Sequence, residues 1–361
     1  MQDDLLIQAG ARALSIIRSE GLRAERVRVA AGAAGGPKWL VLYHLDRFVF
    51  SDWLGRPDRP LFLVGSSIGA WRFSALAQPD SLEAHRRFKD AYVNQTYDAK
   101  PTPPEVTRES ERIQDEVLSS RAVAEVLRHP YMRLNVLSAR CRGPLASDHA
   151  ALLGPGLAAA ALANLADRSA LALFFERTLF FDPRDRPPFF DMSGFPIQRV
   201  ALTEDNLRPA VLASGSIPLV MSGVRRIPGA RPGTYRDGAV LDYHLDLPFL
   251  DDEEGLVLYP HFSDRIIPGW FDKRLPRRRP AASRMRNVVL ISPSPNFIRS
   301  LPLGRIPDRD DFKRFFRRDQ ERIAYWNQVI EQSRRLAQAF EDMVESGRIK
   351  DVVRPLEPVR P

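Results

Sequence analysis

The chain has one cysteine, Cys141, so it forms no internal disulfide and no cysteine-built metal site, and nothing in it calls for an oxidising compartment. Lysine is also scarce. Six lysines stand among 53 basic residues, a skew toward arginine that reads as genomic base composition. Histidine occurs at six positions only: 44, 85, 129, 149, 244 and 261. No apolar run is long enough to cross a bilayer, because the longest, Ala150 to Leu165, is broken by Gly154-Pro155-Gly156 and followed by Asp167-Arg168. The opening residues, MQDDLLIQAG, carry acids where a secretory signal carries bases, so the chain reads as cytoplasmic. Two nucleotide signatures fail as well. There is no G-x-x-x-x-G-K-[ST], and the glycines of Gly32-Ala-Ala-Gly-Gly36 have the wrong spacing for a dinucleotide fingerprint.

What remains is the composition of a folded α/β protein. Its 361 residues, 44% hydrophobic and 27% charged, suffice for one large domain or two smaller ones. A formal net charge of +8 favours anionic partners in general, such as the surface of an anionic membrane, and carries no expectation of specific nucleic-acid binding. The densest basic run, Lys273 to Arg286, is read as a solvated loop or as a place of peripheral membrane contact.

The most informative stretch is Leu61-Phe-Leu-Val-Gly-Ser-Ser-Ile-Gly-Ala-Trp71. Four apolar residues without alternation suit a strand buried on both faces, and a helix follows at once. Between them lies Gly65-Ser-Ser-Ile-Gly69, a G-x-S-x-G that puts Ser67 on a sharp strand-to-helix turn, where a side chain at 65 or 69 would collide with its neighbours. A serine hydroxyl becomes a nucleophile only when a base takes its proton, and the attacked carbonyl needs donors for its developing charge. Gly35 and Gly36, on an earlier strand-to-helix turn, can offer backbone N–H groups at the same sheet edge. For the base, Asp237 in Tyr235-Arg-Asp-Gly-Ala239 is the better placed candidate. His244 and His261 stay open, although neither lies where a Ser-His-Asp hydrolase carries its late histidine.

Along the rest of the chain, periodicity predicts helices over 3–19, 38–50, 81–95, 109–128 and 205–212, with Pro101-Thr-Pro-Pro104 as a loop. One long amphipathic helix is expected over 311–346. Strands are expected near 27–30, 61–64, 133–141, 198–203, 256–259 and 287–292. The Ala/Leu-rich segment 150–181 reads as helical core, or as a cap or lid lining a site for acyl chains. Strands alternating with helices imply a mostly parallel sheet covered on both sides.

Taken in order, Ala34-Gly-Gly-Pro-Lys-Trp39, Gly65-Ser-Ser-Ile-Gly69, Ala213-Ser-Gly-Ser-Ile-Pro218 and Asp237-Gly-Ala239 resemble the patatin-like phospholipase family. That family carries a G-G-G-x-[KR]-G loop, a G-x-S-x-G elbow, an A-S-x-A-x-P segment and a D-G-[GA] turn. The resemblance spans about residues 26–250 and departs at Ala34, Trp39 and Ser216. It implies a three-layer α/β/α fold and hydrolysis of lipid acyl esters through an acyl-enzyme, without metal or cofactor. Ser67 would be the nucleophile and Asp237 the base, with Gly35 and Gly36 forming the oxyanion hole and Lys38 orienting that loop. The expected division is a catalytic domain over 1–305, with a mainly helical cap or insertion at about 80–190, and a helical C-terminal extension over 306–361 packed on it. Rival readings are acyl transfer or a non-lipid esterase on the same dyad, a Ser-His-Asp hydrolase, and a non-catalytic basic membrane-binding protein.

Overall fold

A computed structural model describes residues 4–250 and 254–356, so Asp3 of the expected first helix and 357–361 of the expected extension lie outside the described residues. The strands are β1 (Leu5–Ala9), β2 (Val27–Gly32), β3 (Leu61–Ser66), β4 (Met132–Cys141), β5 (Phe175–Phe181), β6 (Ile197–Ala201), β7 (Val224–Arg225), β8 (Thr234–Asp237), β9 (Leu256–Pro260), β10 (Val288–Pro293) and β11 (Arg354–Pro355). They form one 11-stranded sheet in the order β11-β1-β10-β9-β2-β3-β4-β5-β6, with β8 on β4 and β7 on β8. Most neighbours run parallel; β1/β10, β4/β5, β4/β8 and β7/β8 are antiparallel. Every residue of β3, β9 and β10 is buried, so the centre of the sheet is covered on both faces, as the unbroken apolar runs require.

The covering helices include α1 (Ala11–Glu20), α2 (Tyr43–Phe48), α3 (Ile68–Leu76), α4 (Ser81–Val93), α5 (Pro103–Val117), α6 (Ser120–Leu127), α7 (Ala150–Ala166), α8 (Leu207–Gly215) and the single turn α9 (Ala239–Asp242). Helix α3 packs on β2, β3 and β4, and α8 on β4 and β8. A buried bidentate pair, Arg72 to Asp46 at 2.6 and 2.9 Å, ties α3 to α2. No described helix is long and apolar enough to cross a membrane.

Several expectations are corrected. The opening segment starts as β1, whose Leu5, Ile7 and Ala9 pair with β10, before α1 begins. Residues 38–50 are buried as expected but turn in three ways: a 3₁₀ stretch Gly36–Leu42, then α2, then a widened turn Val49–Trp53. The Pro-rich loop opens α5, because the Glu105 carboxylate accepts the Thr102 N–H at 2.7 Å and closes the first turn. The same expected helix stops after Val117, and Ser119 restarts it by accepting the Ala122 N–H. Helix 311–346 divides into Asp311–Arg314, Asp319–Gln332 and Arg334–Glu345. Arg317 at φ 60° reverses the chain after the first, and Asp311 folds back to accept the indole N–H of Trp326 at 3.0 Å.

The largest correction concerns 150–181 and the cap expected at about 80–190. Only α7 and a 3₁₀ turn (Arg168–Leu173) of 150–181 are helical; Phe175–Phe181 is β5, and β4 and β5 both lie within the central sheet. The charges in β5 are tolerated there because each is paired, Glu176 with Arg140 and Arg231 and Arg177 with Asp242. The C-terminal helices share the main core, with Trp326, Val329 and Phe340 in one cluster with Leu5 and Ile7.

Candidate active site

Strand β4 explains how residues 170 positions apart meet. Its residues 135–141 pair with β5 on one edge, which leaves the other edge to β3 and β8. β3 runs parallel to β4 and ends with Ser66 opposite Leu137; β8 runs antiparallel and ends with Asp237 opposite Ser138. The two strands therefore arrive head to head on one edge. Ser67 and Asp237 emerge at their meeting point.

Ser67 adopts φ 55°, ψ −129°, a conformation that costs an ordinary residue about 1–3 kcal/mol and persists only where its surroundings impose it. They do so here through close packing. A Cβ at Gly65 would lie 2.4 Å from the Ala70 nitrogen, and one at Gly69 would lie 2.0 Å from the Gly32 oxygen. The Ser67 N–H donates to Ser214 Oγ at 2.8 Å, and that hydroxyl donates to the Leu137 oxygen at 2.6 Å. The elbow is thus pinned to the floor of the sheet. Ser67 itself is 6% exposed and Asp237 4%.

The Ser67 hydroxyl donates to Asp237 Oδ2 at 2.7 Å, while Asp237 Oδ1 accepts the Ala239 N–H at 2.8 Å. Both carboxylate oxygens are thereby oriented. Burial lifts the Asp237 carboxyl to about 6; the Ala239 N–H, the Ser67 hydroxyl and the charges of Arg309 and Lys273 pull the other way. A carboxyl near 6 is ionised at neutral pH and still holds a proton better than a surface carboxylate does, which suits it to proton transfer. The turn after Asp237 is fixed by Arg177, which grips Asp242 of α9 with two hydrogen bonds of 2.7 Å.

Gly35 and Gly36 follow β2, whose Gly32 pairs with Gly65 at the end of β3. Ala34 donates its N–H to the Tyr243 oxygen at 2.9 Å and packs with Ala239 and Tyr243, so this loop lies against the turn that follows Asp237. Gly36 has φ 56°, the left-handed region that glycine enters without strain. Among the described residues neither glycine amide meets an acceptor. Lys38 makes no hydrogen bond to the loop. Its ammonium stands 5.1 Å from the centre of the Phe262 ring, which also covers Gly35, so any hold of Lys38 on the loop runs through that ring.

Neither His244 nor His261 hydrogen-bonds to the dyad. Both are buried, their rings 4.3 Å apart; Nδ1 of His244 lies against the Ile267 N–H and the Arg265 oxygen, and Nδ1 of His261 against Ser263. Burial drives both well down, His261 to about 3, so both are neutral imidazoles at neutral pH. Single replacements by Gln are expected to lower the melting temperature and to leave kcat of the folded fraction within about threefold. A loss of about 10²–10⁴-fold, the contribution of a general base, would assign the proton transfer to histidine.

Three groups escaped sequence reasoning. Ser214 lies in the quoted Ala213-to-Pro218 segment, but its hold on Ser67 shows only once α8 docks on β4. Lys273 was part of a run read as solvated, and Arg309 carried no signal at all. Ser216 is buried with its hydroxyl donating to the Leu212 oxygen at 2.9 Å, and its own carbonyl accepts the Asp237 N–H at 3.0 Å. Among the described residues no cluster of three or more His, Cys, Asp or Glu is gathered to hold a metal ion. No model of a known protein family and no curated protein matches this chain.

Proposed function

We propose that the protein is a serine acyl hydrolase of patatin-like type that cleaves lipid acyl esters on the Ser67–Asp237 dyad. The observation that carries this reading is the 2.7 Å hydrogen bond from the Ser67 hydroxyl to the Asp237 carboxylate, which burial lifts to about 6. Asp237 takes the Ser67 proton as Oγ bonds to the ester carbonyl carbon, and the carbonyl electrons move to its oxygen. The amides of Gly35 and Gly36 receive that oxyanion, each donor contributing about 10²–10³ in turnover. When the tetrahedral carbon collapses, the C–O bond to the alcohol breaks and Asp237 returns the proton to the leaving oxygen. Water repeats the sequence on the acyl-enzyme, releasing the acid and restoring the serine.

Steady-state and stopped-flow assays with 4-nitrophenyl esters test this directly. The expected result is a burst of one nitrophenolate per active site, absent from Ser67→Ala. Slow turnover unchanged by that substitution would overturn the reading.

The choice of lipid as substrate class draws support from α7. This helix holds no charged residue, buries Leu153, Leu157 and Ala160, and exposes Leu152, Pro155, Ala159, Leu162, Leu165 and Ala166 at helical spacing. Its buried face belongs to the same apolar cluster as Val240 and Leu241 of the turn after Asp237. Arg278 of the basic run donates to the Asn164 oxygen at 2.9 Å, and Arg274 and Arg277 beside it are exposed. An apolar stripe flanked by arginines fits an anionic bilayer. Co-sedimentation is expected with vesicles containing phosphatidylglycerol, weaker with pure phosphatidylcholine, and lost in Leu162→Ser/Leu165→Ser. Equal binding of that variant, or a dimer that buries the stripe, would contradict this membrane assignment.

A further inference from the structure

Most buried cations of this chain are spent on carboxylates: Arg72 on Asp46, Arg177 on Asp242, Arg236 on Asp148, Arg322 on Asp319. Three half-buried ones beside the glycine loop and the turn after Asp237 are not. Among the described residues Lys38, Lys273 and Arg309 make no salt bridge and no side-chain hydrogen bond; Lys38 and Arg309 lie along the glycine loop, and Lys273 and Arg309 act on the Asp237 charge. The aliphatic stem of Arg309 runs over Gly36, where a Cβ would stand 3.1 Å from its Cγ. The ammonium of Lys273 sits 4.1 Å from the centre of the Tyr243 ring and 5.7 Å from that of Trp270, beside the turn that follows Asp237. Lys38 occupies the other side of the glycine loop, over Phe262. Arg309 and Lys273 are close enough to act on the Asp237 charge, and Arg309 and Lys38 on that of Lys273.

Three like charges held half out of water repel one another, and a single carboxylate that must give up its charge during turnover does not balance them. Burial and these neighbours drive Lys273 down to about 7, a sign of how poorly its charge is compensated. An arrangement of this kind is stable when a second anion joins it. Asp308, the remaining carboxylate near Lys38, is turned to Arg305 at 3.7 Å. Gly35 lies against the Phe262 ring below Lys38 and Gly36 against the Arg309 stem, and among the described residues neither amide meets an acceptor, so both add donors of the same sign.

We infer that Lys38, Lys273 and Arg309 form an oxyanion subsite that selects acyl esters bearing a net negative group, phosphate or carboxylate, over zwitterionic and neutral ones. The inference rests on the hydrolase reading of Ser67 and adds to it a specificity that the dyad alone does not contain. Arg309 offers a planar fork for two oxygens, whereas Lys273 and Lys38 act as point charges. A choline headgroup would bring a fourth cation into the cluster. Such substrates are disfavoured by repulsion rather than by shape.

Two measurements separate this subsite from the chemistry. The first is isothermal titration of Ser67→Ala with octyl phosphate, octylphosphocholine and octyl glucoside, with inorganic phosphate as a competitor. Octyl phosphate is expected to bind at least about tenfold more tightly than the other two, by a margin that shrinks with salt and disappears in Lys273→Met and Arg309→Met but is retained in Lys273→Arg. Displacement by inorganic phosphate would place the recognition in the phosphate group itself; failure to displace, with the preference retained, would place it in the phosphate together with its chain. The second is the ratio of kcat/KM for 4-nitrophenyl hemisuccinate to that for 4-nitrophenyl butyrate, which reads a carboxylate on the acyl side. Equal binding of the three octyl ligands, or a preference that survives both methionine substitutions, overturns the subsite while leaving hydrolysis intact. Selective phosphate binding by a protein that turns over no ester overturns the hydrolase reading and leaves the subsite standing.

Discussion

Ser67→Ala is expected to reduce kcat on any ester by about 10⁴- to 10⁶-fold while leaving the circular dichroism spectrum unchanged. The size follows from the role. Without Oγ no acyl-enzyme forms, and the residual rate is that of water attacking a bound ester beside the free amides of the glycine loop. The fold survives because the contacts that set the elbow are made by the Ser67 backbone and by its neighbours: the Ser67 N–H on Ser214, the close approach of Gly69 to Gly32, and α3 behind it. Ser67→Gly separates strain from chemistry. Glycine accepts φ 55°, so that variant is expected to be as inactive as Ser67→Ala and more stable than wild type by about 1 kcal/mol in urea. Activity retained in either variant would place the nucleophile elsewhere.

Asp237→Asn is expected to lose activity by about 10⁴-fold and to gain stability. An unfolded aspartate titrates at 3.8 and the native one near 6, so between these values the native state holds a proton that the unfolded chain has released. Stability from this group is present in full below pH 3.8, falls as pH rises, and is gone above about 6, where the ionised carboxylate is buried. A displacement of this size corresponds to about 3 kcal/mol, which the asparagine variant recovers at pH 8 and does not recover at pH 4. Urea unfolding at the two pH values measures it. The same carboxylate sets the activity profile: kcat/KM should fall about tenfold per unit below pH 6 and level off above it. Because Lys273 and Arg309 hold the Asp237 carboxyl down, Lys273→Met should move that limb to higher pH. A limb that stays in place would remove Lys273 from the neighbourhood of the base.

The parts of this molecule that were legible in sequence are those whose signal is local. The apolar run Leu61–Val64, the glycines at 65 and 69, and the Asp237-Gly turn each mark a backbone event within a few residues, and each stands where expected. Strand β5 was not legible, because Glu176 and Arg177 look like solvated helix residues until Arg140, Arg231 and Asp242 arrive from distant segments to pair with them. Helix 311–346 was read as continuous for a related reason. Its apolar spacing carries through Arg317 and Ser333; the first break comes with the fold-back of Asp311 onto Trp326, and at the second the buried Ser333 hydroxyl donates to the Ile330 oxygen. In the site, Ser67 and Asp237 were named from motifs, but their meeting depends on β4 being long enough to seat two strands on one edge. That is a property of the whole sheet. Arg309 and Lys273 belong to the same class of long-range fact, since nothing near either residue in sequence distinguishes it from 51 other basic residues.

The proposed chemistry requires Ser67 to act as a nucleophile whose proton passes to Asp237. Intact-mass measurement after exposure to a fluorophosphonate at pH 8 tests it most directly, on the wild type, Ser67→Ala and Asp237→Asn side by side. The account predicts one phosphonyl adduct on the wild type, mapped to the peptide that contains Ser67, none on Ser67→Ala, and labelling slowed by about 10²-fold or more on Asp237→Asn. An unlabelled wild-type protein, or an adduct that forms as quickly when either residue is replaced, would contradict it.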